Sequence, residues 1–73
     1  MPEKQNCRHN LTESELAILQ MLVCGQAYKS IAYQRGVNLR TVYAHMANVR
    51  SKLGAHSNAQ AVAIAVHLRL VRV

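Results

Sequence analysis

After Glu15 the sequence contains no acidic residue. Nine Lys and Arg face three Asp and Glu over 73 residues, and those three are Glu3, Glu13 and Glu15. A solvated surface ordinarily mixes both signs, so a surface of one sign points to a polyanionic partner. Nucleic acid is the first candidate and an anionic membrane the second; a basic protein with no such partner is the plain alternative. Tryptophan and phenylalanine are also missing. No apolar run reaches the roughly 18 residues that a membrane span needs, and no signal-peptide pattern opens the chain. The expectation is a cytoplasmic protein with no membrane partner. Cysteine is too sparse for a disulfide scaffold, since Cys7 and Cys24 are the whole supply.

The same scarcities exclude most chemistry. With so few acids and no phosphate-cradling glycine loop, no enzyme constellation can be assembled, and no cofactor is expected. Structural zinc needs about four ligands at recognisable spacing. Cys7 and His9 stand two residues apart with nothing to complete a set, so no metal site is expected. Cys24, at a helix end, reads as a small apolar residue. His45 has no nucleophile or carboxylate near it in the chain. It reads as a flank residue that packs and hydrogen-bonds near a phosphate.

What is present is a succession of helix signals in a single small domain. "MPEKQNCRHN" has no periodicity and reads as a mobile polar leader over residues 1–10, ahead of a domain over 11–73. In "LTESELAILQMLVCG", Thr12 and Glu15 have the spacing of a capping box, and Leu11 and Leu16 that of a hydrophobic staple. Leu16, Leu19, Leu22 and Val23 follow helical spacing, and Gly25 offers a left-handed stop. "YKSIAYQRGVN" predicts a short second helix closed by Gly36. Ala27 is a poor cap for it, Ile31 and Ala32 form its apolar side, and small Ala32 lets another helix approach. Asn38 is a good N-cap for a third helix. A short helix, a tight glycine turn and a longer helix make the helix-turn-helix pattern.

On a helical wheel, the third helix separates into two sides. Val42, Met46, Val49 and Leu53 form a core stripe. The opposite side holds Arg40, Tyr43, Ala44, Ala47, Asn48 and Ser51, with His45, Arg50 and Lys52 on the flanks. A helix that enters the major groove needs short side chains where it meets base edges and long cationic ones where it passes phosphates. An ordinary amphipathic helix with a solvated face is the alternative. The missing acids and the preceding turn favour DNA, with Arg40 and Arg50 assisting at the backbone.

Ser57 and Gln60 have the spacing of a second capping box, so a fourth helix should run from about Asn58 to about Leu70. It is apolar nearly all round. Ala61, Val62 and Ala65 line one side and Ile64 and Leu68 another. A small domain can bury one stripe in its own core. The surplus stripe of Ile64 and Leu68, with Gln60 and His67 beside it, therefore predicts self-association.

These segments resemble the LuxR/FixJ/GerE class of bacterial helix-turn-helix domains over residues 11–71. Leu11, Thr12 and Glu15, then Ile31-Ala32, Thr41-Val42, His45, Asn48, Leu53-Gly54 and Ala61-Val62, all fall at the family's spacing. The resemblance implies an all-α domain of four helices, with the third helix in the DNA major groove and the fourth pairing two subunits on a dyad-symmetric site. It implies that Tyr43, Ala44 and Ala47 meet the bases, while Lys29, Thr41, Asn48 and Lys52 hold the DNA backbone. The chain departs from the family in three ways. Its base-reading positions lack the Lys or Arg often found there. Arg69 stands where a glycine usually ends the fourth helix, so that helix is expected to run on. Most members also carry an N-terminal receiver or ligand-binding domain, which makes this either a small stand-alone regulator or an output domain. The functional expectation is a sequence-specific transcription regulator that binds double-stranded DNA as a homodimer. The alternative is an interaction module that pairs through its fourth helix with larger regulators of the same family.

Overall fold

The computed structural model describes residues 10–73. Apart from Asn10, the leader expected over 1–10 lies outside them, as do Cys7 and His9. Four helices succeed one another: α1 (Glu13–Val23), α2 (Tyr28–Arg35), α3 (Leu39–Leu53) and α4 (Asn58–His67), and no strand occurs among the described residues. The all-α architecture is the one the sequence predicts.

Each helix start reflects its local chemistry. The Thr12 side chain accepts from the Glu15 N–H at 3.1 Å, and the Glu15 carboxylate accepts from the Thr12 N–H at 3.0 Å, which closes the capping box of α1. Ala27 gives α2 no side-chain cap. Asn38 caps α3 by accepting from the Thr41 N–H at 2.9 Å.

The fourth helix corrects two expectations. Ser57 does accept from the Gln60 N–H at 3.1 Å. The reciprocal half of the box is missing, because the Gln60 carbonyl turns one residue further back and accepts from the His56 N–H. The helix also stops at His67 rather than near Leu70. Arg69 adopts φ 61°, and the Arg69 and Leu70 N–H groups bond to the Val66 and Ala65 carbonyls at 3.0 and 2.9 Å. A glycine stop is thus made without glycine, at roughly 1–2 kcal/mol of backbone strain. The reason is tertiary. Val71 is buried against the core, and the Gln20 amide clamps the Arg72 backbone from both sides, donating to its carbonyl and accepting from its N–H at 2.8 Å each.

The core takes Ile18 and Leu19 from α1, Ile31 and Ala32 from α2, Val42, Met46 and Val49 from α3, and Ala61 and Ala65 from α4. Leu53, the fourth member of the expected α3 stripe, is half-buried against it. Helix α3 packs against all three others and is the axis of the domain. In α1 the deepest residues are Ile18 and Leu19, while Leu16, Leu22 and Val23 pack at the core margin. The capping box turns Glu15 inward, and Ile18 and Leu19 lie one turn along the same face.

Candidate nucleic-acid interface

The turn between α2 and α3 sets the geometry of the site. Gly36 lies at φ 70°, a left-handed conformation that glycine adopts without strain. Its N–H bonds to the Tyr33 carbonyl at 3.2 Å, and the Val37 N–H bonds to the Ala32 carbonyl at 3.0 Å. Two residues later Asn38 starts α3. The turn is therefore closed by backbone bonds on one side and by a cap on the other.

The wheel of α3 holds in three dimensions. Val42, Met46 and Val49 are fully buried, while Arg40, Tyr43, Ala44, Ala47, Asn48 and Ser51 are exposed. The outer face is thus short or flat at its centre. Tyr43 is 54% exposed and does not stand alone. Its ring meets that of Tyr28, at the start of α2, with centroids 4.8 Å apart and planes tilted by 55°. The Tyr28 hydroxyl accepts a hydrogen bond from the Asn58 amide, and the Asn58 carbonyl accepts one from Arg50.

The cations fall into two groups. Lys29 and Arg40 are exposed and make no side-chain hydrogen bond or ion pair among the described residues. Arg50 is half-buried against Asn58. Lys52 donates to the Glu15 carboxylate at 2.8 Å and to the Asn10 carbonyl at 3.0 Å. Burial works against the charge on Glu15. The Lys52 hydrogen bond, the Thr12 N–H, the charge of Lys52 and the nearby His45 ring outweigh it and hold the Glu15 carboxyl below its ordinary value. Thr41 is half-buried and its hydroxyl donates to the Asn38 side chain at 3.0 Å, while Asn48 is exposed. His45 is half-buried, with Nδ1 turned inward and without a partner among the described residues.

On α4, Ala61 and Ala65 face the core. Gln60 and His67 are exposed, Leu68 is 39% exposed, and half-buried Ile64 lies outside the cluster packed on the core. Leu68 is the cap residue after the helix rather than part of it. Cys24 is exposed, not packed as an apolar residue, and its sulfur accepts from the Gln20 amide at 3.5 Å. No group of three or more His, Cys, Asp or Glu that could hold a metal occurs among the described residues, and none of their helices is long and apolar enough to cross a membrane.

Sequence reasoning missed Tyr28 and Asn58. Both lie outside α3, and a wheel of one helix carries no information about what its neighbours bring to the same face. Arg35, exposed in the last turn of α2, was also passed over.

Residues 9–65 match the family described as bacterial regulatory proteins, luxR family. A transcriptional regulatory protein, YdfI of Bacillus subtilis, is 39% identical over 64 residues, covering 88% of this chain and 30% of that protein. The transcriptional regulatory protein FixJ of Azorhizobium caulinodans is 41% identical over 56 residues, covering 77% of this chain and 26% of its own. The solved structure of the transcription factor GerE superposes with a TM-score of 0.81 at 32% identity, over 85% of this chain and 92% of that one. The chain spans about a third or less of the length of the curated relatives it matches.

Proposed function

Because the chain belongs to the luxR family of bacterial regulatory proteins, whose members are DNA-binding helix-turn-helix transcription regulators and not enzymes, we propose that α3 enters the major groove and that two copies pair through α4 on a dyad-symmetric site. The observation that carries this reading is the outer face of α3, short or flat at its centre, on a domain whose α2, α3 and α4 contain no acid. Tyr43, Ala44 and Ala47 then meet base edges. The Tyr43 phenol offers one hydrogen bond and a ring surface for a thymine methyl, and the alanines offer apolar contact. Lys29, Arg40, Thr41 and Asn48 hold the DNA backbone. Arg50 and Lys52 add their charge from positions fixed by Asn58 and Glu15, and the Lys52 ammonium keeps one N–H beyond its two internal bonds.

The dimer surface is Ile64 and Leu68 with Gln60 and His67 at its edge. Two copies bring together about four large side chains at roughly 1.5–3 kcal/mol each before association costs, which sustains a weak dimer that DNA then holds in place. The exposure of Leu68 also favours a second reading, in which α4 pairs with larger regulators of the family. A cytoplasmic location, where bacterial DNA lies, goes with either.

Selection of bound sites from random DNA tests the reading. Wild type should enrich a site with two half-sites about one helical turn apart. Leu68→Asp should bind single half-sites as before but lose cooperativity, with its melting curve nearly unchanged. Selected sites without dyad symmetry, or unchanged cooperativity in the variant, would place pairing elsewhere.

A further inference from the structure

We propose that Tyr28 is a positioning residue for Tyr43, and that Asn58 and Arg50 hold it in that role from the side of α4. The proposal rests on the reading that Tyr43 meets the bases. An exposed tyrosine on a helix ordinarily samples several rotamers and loses that freedom when it docks. Tyr43 instead has an aromatic wall at 4.8 Å on one side, an arrangement that favours one placement of the phenol before DNA arrives.

Tyr28 is itself fixed at both ends. Its ring packs against the core, and its hydroxyl accepts from Asn58, whose carbonyl in turn accepts from Arg50. Asn58 is the first residue of α4, and Arg50 lies on α3 itself. The chain of contacts therefore runs from α3 through the start of the proposed pairing helix to the first turn of α2, and returns to α3 at Tyr43. Ala27, which caps nothing, leaves the beginning of α2 without a side-chain anchor of its own. The bond from Asn58 anchors the next residue from outside the helix.

The test compares Tyr28→Leu, Tyr28→Phe and Tyr43→Ala by binding-site selection and by the ratio of specific to nonspecific DNA affinity. Tyr28→Leu keeps an apolar contact with the core and removes the wall. It should flatten base preference at the positions that Tyr43→Ala flattens and lower the ratio about fivefold, with nonspecific affinity unchanged. Tyr28→Phe keeps the wall and frees its outer end, so it should lower the ratio by a smaller factor of about two to three. If Tyr28→Leu does not fold, Tyr28→Phe decides alone, and a ratio equal to wild type then overturns the proposal. A loss in Tyr43→Ala with wild-type preference in folded Tyr28→Leu overturns the positioning role and leaves the groove-facing reading intact. Wild-type preference in Tyr43→Ala removes both.

Discussion

At the N-terminal end of α3, Arg40 stands exposed and unbonded among the described residues, as does Lys29 on the neighbouring α2. About three turns later, Arg50 and Lys52 are tied inward, Arg50 to the first residue of α4 and Lys52 to Glu15 in α1. Both ends are basic, and on a helical wheel both look like a rim for phosphate. The difference lies in what each can reach. At the far end of α3, Asn58 of α4 and Glu15 of α1 supply acceptors; at the near end no side-chain acceptor among the described residues takes up Arg40. One helix therefore presents open charge at one end and uses charge to hold the domain together at the other. Glu15, the one buried acid among the described residues, is what draws Lys52 inward.

Removing one cation from each end of α3 should have unequal effects on stability. Lys52→Ala leaves the Glu15 carboxylate buried without its ion-pair partner. A cost of about 1–3 kcal/mol is expected, at roughly 4–8 °C in Tm per kcal/mol for a domain of this size. Arg40→Ala should leave Tm nearly unchanged. Equal melting curves for the two variants would show that the Lys52–Glu15 pair contributes nothing. Acid should act on the same pair. The Glu15 carboxyl lies below its ordinary value of 4.5, so its contribution to stability is complete above that pH and is lost as pH falls through the lowered folded value. Glu15→Gln should therefore reduce the loss of stability below pH 4.5, as measured by urea unfolding across pH.

The ends of the helices sharpen the contrast between local and tertiary causes. Thr12 with Glu15, and the stop at Gly36, were legible because cap and glycine chemistry act within a few residues. Ser57 with Gln60 has the same spacing as Thr12 with Glu15, yet only the first box closes. Glu15 is also held by Lys52, from α3, whereas the Gln60 side chain bonds to His56 instead. The end of α4 was not legible, because the clamp of Gln20 on Arg72 spans most of the chain. Of the candidate site, the outer face of α3 could be read from its own period. Tyr28 could not, since it reaches that face from another helix.

A smaller effect is expected where that clamp forces Arg69 into the left-handed region. Arg69→Gly relieves the strain of φ 61° and adds backbone freedom to the unfolded chain, for a net gain of about 0.5 kcal/mol. A loss of stability on thermal unfolding would mean that the arginine side chain matters more than its backbone conformation.

Whether open charge around the outer face of α3 meets DNA phosphates is decided by the salt dependence of DNA binding for wild type and Arg40→Ala. The logarithm of the association constant should fall linearly with the logarithm of salt, with a slope near −0.9 for each phosphate neutralised. Arg40→Ala should weaken binding to all sequences alike and flatten that slope by about one unit. An affinity that does not change between about 50 and 200 mM salt, or a slope identical in the two proteins, would contradict the assignment of that surface to DNA.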